Sequence, residues 1–95
     1  MPKAVVRGVG LYQKILGARE ISIEMPEGTM LKGLITELDR RSDEQLGRHL
    51  FNENGTRNDG VRIFLNGRDV RFLDKSETGL ADGDIILFLP VLAGG

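Results

Sequence analysis

Leu80-Ala81-Asp82-Gly83-Asp84-Ile85-Ile86-Leu87-Phe88-Leu89 decides the fold. An acidic-glycine turn opens directly into consecutive apolar residues, a run with the length and composition of a strand buried inside a sheet. Working back along the chain, Val61-Arg62-Ile63-Phe64-Leu65 alternates, Asn66-Gly67 is a tight-turn signal, and Arg68-Asp69-Val70 returns in the opposite direction. Further back, Leu31, Leu34, Ile35 and Leu38 recur at three- and four-residue spacing. That spacing puts them on one face of a helix which Thr29 is suited to cap and which ends near Arg40-Arg41. At the start, Val5-Val6-Arg7-Gly8-Val9 and Glu20-Ile21-Ser22-Ile23-Glu24 read as an opening pair of strands. Residues 11–17 between them are too many for a tight turn and accommodate a helical turn closed by Gly17.

Two strands, a helix and two or three further strands are the elements of an α+β domain of the β-grasp type, a mixed sheet packed on one main helix. Element order alone also admits a ferredoxin-like sandwich, but that fold requires a second full helix. The segment from Ser42 to Gly60 supplies at best a short one, anchored by Leu46, Leu50 and Phe51 and followed by an Asn52-Glu53-Asn54-Gly55 turn. It reads as the most variable and mobile part of the chain. The folded domain is expected to span residues 1–89, with Pro90 ending regular pairing and residues 90–95 forming a flexible tail.

Composition narrows the function classes. The chain has 95 residues, with 13 Lys and Arg against 14 Asp and Glu, interspersed along it. No basic block advertises a nucleic-acid or anionic-membrane partner, so neither is expected. The longest apolar stretch, residues 85–93, is interrupted by Pro90 and too short to span a bilayer. Met1-Pro2-Lys3 lacks the apolar core of a secretory signal, so a cytoplasmic location is expected. Absence of cysteine excludes a disulfide, a thiolate metal site and a cysteine persulfide. A small domain builds a deep catalytic cleft with difficulty but has ample surface for a binding face. No nucleophile-and-base constellation is present. His49 is the sole histidine, read as a surface residue, and no metal site is expected. Gly8-Val9-Gly10 reads as a loop element rather than a dinucleotide fingerprint, and Asp82 and Asp84 read as turn formers.

The turn at 80–84, the strand after it and the closing Pro90-Val91-Leu92-Ala93-Gly94-Gly95 together resemble the end of MoaD/ThiS-family sulfur carriers. Asn66-Gly67-Arg68-Asp69-Val70-Arg71-Phe72-Leu73 is similar to the corresponding stretch in the branch containing CysO and in archaeal small modifiers. The likeness is strong from Val61 to Gly95 and rests on element order before that. Some members read Pro-Pro or Pro-Ala where this chain has Pro90-Val91, a change that keeps the tail small and apolar.

The resemblance implies a protein cosubstrate rather than an enzyme. A carboxylate is a poor electrophile, so a partner adenylating enzyme, using ATP, joins the Gly95 carboxylate to AMP. A sulfur donor then displaces AMP to leave a thiocarboxylate. No cofactor is held by the carrier itself. Gly94 and Gly95, lacking Cβ, thread a narrow channel that side chains would block. Implied partners are the adenylating enzyme, a sulfur-accepting biosynthetic enzyme that makes cysteine, molybdopterin, thiamin or thiolated tRNA, and, in some pathways, a metalloprotease. Two alternatives stay open: a ubiquitin-like modifier joined through Gly95 to target lysines, and a ubiquitin-like binding module whose tail is incidental.

Strand alternation adds a candidate contact surface. With Val61, Ile63, Leu65, Ile86 and Phe88 turned to the helix, Arg62, Phe64, Ile85, Leu87 and Leu89 face away. With Pro90, Val91, Leu92 and Ala93 leading to the diglycine, they form the expected partner-binding surface.

Overall fold

In the computed structural model, which describes residues 1–55, 58–70 and 78–91, the chain opens with β1 (Lys3–Gly8), α1 (Leu11–Leu16) and β2 (Glu20–Glu24). Helices α2 (Leu31–Arg41) and α3 (Gln45–Leu50) follow, then β3 (Val61–Leu65), β4 (Arg68–Asp69) and β5 (Ile85–Pro90). The strands form one mixed sheet in the order β2-β1-β5-β3-β4. β5 is central, parallel to β1 and antiparallel to β3, as its continuous apolar run required. This is the expected β-grasp arrangement.

The opening strands pair antiparallel, with α1 filling the connection and Gly17 closing it at φ 83°. β1 begins earlier than its apolar residues suggested and stops at Gly8. Val9 lies beyond it, donating its N–H to the Phe88 carbonyl. Gly8 is where α1 turns back across the strand: a Cβ there would lie 2.6 Å from the Tyr12 carbonyl carbon and 2.8 Å from the Gln13 nitrogen. Gly8→Ala is therefore expected to push α1 off the sheet and cost about 1–3 kcal/mol, the range for overpacking a fitted site. Urea unfolding of the variant measures it.

The core between sheet and helices is wholly apolar among the described residues. Leu31, Leu34 and Leu38 of α2 meet Val6, Ile23, Ile63, Ile86 and Phe88 of the strands, while Ile35 is only partly buried. Tyr12 reaches the Phe88 ring at 6.0 Å between centroids, and burial pushes its hydroxyl pKa up. Each large aliphatic or aromatic side chain so buried contributes roughly 1.5–3 kcal/mol.

Three local expectations are corrected. Thr29 is not the N-cap of α2: that position is Met30, without a side-chain cap, and the Thr29 hydroxyl donates instead to the Pro26 carbonyl at 2.7 Å. The carbonyl of Thr78 accepts from Leu31 N–H at 2.9 Å, so a remote backbone group satisfies the helix start. Phe51 does not anchor α3 and is 44% exposed, whereas Leu46 and Leu50 are fully buried. The helix is held instead by the Asp39 carboxylate and the Ser42 hydroxyl, which accept from Gly47 N–H at 2.7 Å and Leu46 N–H at 3.1 Å. Pro90 does not end the pairing either, because it stands opposite Val61 as the last residue of β5. Gly60 accepts from Val91 N–H, so hydrogen-bonded pairs fall at 60–91 and 62–89, and Pro90 sits between them where no N–H is needed by β3.

Candidate functional site: the outer face of β3 and β5

The register of β3 with β5 places Phe64 opposite Leu87 and Arg62 opposite Leu89, and that of β1 with β5 places Arg7 beside Leu87 and Val5 beside Ile85. Val61, Ile63, Leu65, Ile86 and Phe88 are buried, as the alternation required. Arg62, Phe64, Ile85, Leu87 and Leu89 lie together on the opposite face, each half-buried by its cross-strand neighbours. Phe64, Asn66, Ile85, Leu87 and Leu89 line a shallow depression there, bordered by Arg7. Isolated apolar side chains on a surface need no explanation, whereas a contiguous set across neighbouring strands makes this face the candidate contact surface.

The cations beside this patch are already compensated. Arg62 Nη1 lies 3.1 Å from Asp69 Oδ2, and Arg7 Nε lies 2.7 Å from Glu20 Oε1. The patch is thus apolar surface whose bordering cations each already have a carboxylate beside them.

Asn66 fixes the near end of the depression. Its φ of 51° and the 84° of Gly67 are the left-handed pair of a tight hairpin turn. Its side-chain amide donates to Asp84 Oδ1 at 2.9 Å, and its side-chain oxygen accepts from Ile85 N–H at 2.8 Å. Asp84 also accepts from Ala81 N–H, and Asp82 from Lys3 N–H, so both aspartates do serve the turn before β5. The sequence signalled the Asn66-Gly67 turn, but not that its side chain would lock the start of β5.

At the far end Pro90 and Val91 are half-buried, and Val91 is held by the carbonyl of Gly60 at 2.9 Å. The candidate residues Leu92, Ala93, Gly94 and Gly95 lie outside the described residues, as do Arg71, Phe72 and Leu73. His49 is half-buried on α3, away from the patch, with its carbonyl accepting from the Asn58 side chain. Among the described residues no group of three or more His, Cys, Asp or Glu is arranged to hold a metal ion. No described helix is long and apolar enough to cross a membrane.

The patch and the strand that leads from it can be set beside known proteins. The sequence model of the ThiS family matches residues 8–95. The chain belongs to the ThiS family. ThiS-type proteins and their relatives are small sulfur carriers and ubiquitin-like modifiers, not catalysts. Small archaeal modifier protein 3 of Haloferax volcanii is 28% identical over 90 residues, spanning 95% of this chain and 96% of that protein. The sulfur carrier protein CysO of Mycobacterium tuberculosis is 49% identical over 35 residues, 37% of this chain and 38% of its own length. The Haloferax volcanii HVO 2177 protein, solved in solution, superposes with a TM-score of 0.80 at 26% identity, covering 99% of this chain and 87% of that one.

Proposed function

We propose that the chain is a sulfur carrier whose Gly95 carboxylate is activated by a partner adenylating enzyme and converted to a thiocarboxylate. The observation that supports it most directly is the course of β5: the strand carries the apolar patch at Ile85, Leu87 and Leu89 and leads on to Val91, four residues before Gly95. A partner docked on the patch therefore has the last residues within reach of its own active site, at about 3.3–3.6 Å of chain per residue.

In this reading the carboxylate oxygen attacks the α-phosphorus of ATP and pyrophosphate leaves. The acyl adenylate is then attacked at its carbonyl carbon by sulfide; the C–S bond forms as the C–O bond to AMP breaks, AMP departs and the sulfide proton passes to water. The resulting thiocarboxylate is ionised at neutral pH and is a soft nucleophile, on the same grounds as a thiolate. Sulfur chemistry without cysteine follows, in keeping with the composition. ATP is a substrate of the partner, and a biosynthetic enzyme accepts the sulfur.

A second reading draws on the likeness to a small archaeal modifier protein. The same adenylate is attacked by a lysine amine of a target protein, giving an isopeptide bond. Incubation of the purified chain with a family adenylating enzyme, ATP and sulfide tests the first reading. Intact-protein mass spectrometry is expected to show one oxygen replaced by sulfur, with the change mapping to Gly95. Sulfur located on any other residue rejects the carrier mechanism.

A further inference from the structure

β2 lies at one edge of the sheet, and its pairing with β1 determines which of its backbone groups are left over. Met25 N–H donates to the Pro2 carbonyl and Gly8 N–H to that of Arg19, so hydrogen-bonded positions fall on every second residue, at Ile21 and Ile23 between them. The N–H and C=O groups of Glu20, Ser22 and Glu24 consequently point away from β1. Those of Ser22 meet no partner among the described residues. Such a row of unpaired groups is a template for another strand.

Beside this edge a groove runs between β2 and α2. Ile23 and Met25 form one wall and Met30, 47% exposed, part of the other. Gly33 keeps the floor open: a Cβ there would find only Thr29 Cγ2, at 3.7 Å. Lys32, Glu37 and Arg41 of α2 border the groove, with Glu37 held by Arg41 at 2.7 Å.

An extended peptide complements both features, with its main chain pairing to the edge and alternate side chains entering the groove. A second copy of this chain is disfavoured in the symmetric register centred on Ser22. Two β2 edges paired antiparallel about Ser22 would set each Glu20 directly opposite a Glu24, and like charges so placed are destabilising. Opposite charges reverse the sign. Glu20 and Glu24 have side chains 49% and 62% exposed, and the cation paired with each, Arg7 or Lys3, stands on the β1 side.

We infer that the β2 edge is a docking site for an extended segment of a partner protein, with apolar side chains turned to α2 and lysine or arginine on the other side, opposite Glu20 and Glu24. The site is independent of sulfur loading, because β1 separates β2 from β5.

The probe is a capped nonapeptide alternating lysine and valine, titrated into the isotope-labelled full chain. NMR is expected to show shifts concentrated in residues 20–25 and along the groove-facing side of α2, with slowed amide exchange at Ser22 and Glu24. Ser22→Pro removes an N–H that β1 does not use, so it is expected to keep the fold and the sulfur-loading reaction while weakening the peptide by about tenfold or more. Gly33→Leu is expected to fill the floor and weaken binding with the edge backbone intact. A peptide alternating glutamate and valine is expected to bind more weakly than the lysine form. Shifts centred on Phe64, Leu87 and Leu89, equal binding of the two peptides, or indifference to both substitutions would overturn the inference. Loss of sulfur loading with peptide binding retained in wild type bears on the carrier mechanism alone.

Discussion

Deletion of Gly95 is expected to abolish formation of the thiocarboxylate while leaving thermal unfolding unchanged. Without Gly95 the terminal carboxylate belongs to Gly94 and is drawn back by about one residue of extended chain, roughly 3.3–3.6 Å. A misplacement of about 1 Å already costs on the order of a hundredfold in a positioned reaction, so a shift of this size removes the reaction for practical purposes. Extension beyond Gly95 is expected to have the same effect by a different route, since it replaces the carboxylate with a peptide amide. Stability is a separate matter: among the described residues the buried core reaches only as far as Phe88. Mass spectrometry after incubation with the adenylating enzyme reads the first effect, and calorimetry the second. Normal sulfur loading of the extended chain would show that the acceptor lies elsewhere. Lysine conjugates in cells that vanish on deletion would favour the modifier reading.

Phe88→Ala and Leu89→Asp are expected to separate stability from binding at adjacent residues of one strand. Phe88 is fully buried, packs against Tyr12 and stands between Gly8 of β1 and Ile63 of β3. Emptying such a site costs about 3–5 kcal/mol. For a domain of this size that corresponds to a fall in melting temperature of roughly 12 °C or more. Leu89 is half-buried on the other face, opposite an Arg62 already paired with Asp69, so an aspartate there remains in contact with water. The expected loss of stability is below about 1 kcal/mol. Docking is where the charge does harm: covering an aspartate with apolar partner surface lacks compensation, and affinity for the adenylating enzyme is expected to fall by about 1–3 kcal/mol. Thermal unfolding and titration calorimetry with that enzyme test both variants. The reverse pattern, with Leu89→Asp unfolding and Phe88→Ala losing only binding, would mean that the contact surface is on the other side of the sheet.

The elements whose pattern is carried by their own residues were determined by the sequence alone. β2, β3, the extent of α2 and the two faces of β5 follow from periodicities of two and about three and a half, because solvent on one side and core on the other impose those periods directly on the residues. Family membership was equally legible, since it resides in a contiguous stretch of residues. Four matters depended on contacts between segments distant in the chain. Thr29 is suited to cap a helix, yet the Thr78 carbonyl takes that task because the strand-like contact of Met30 with Gly79 brings it there. Pro90 reads as a terminator, yet it remains in β5 because the register with β3 places it at a position that requires no donor to that strand. The position of α3 depends on the Asp39 carboxylate eight residues before Gly47, a cap with no local signature. The open groups of Ser22 follow only from which residues of β1 it faces. Backbone hydrogen bonding has no memory of residue type, so its partners are decided by the assembled sheet, whereas burial acts on side chains and is already written in their order.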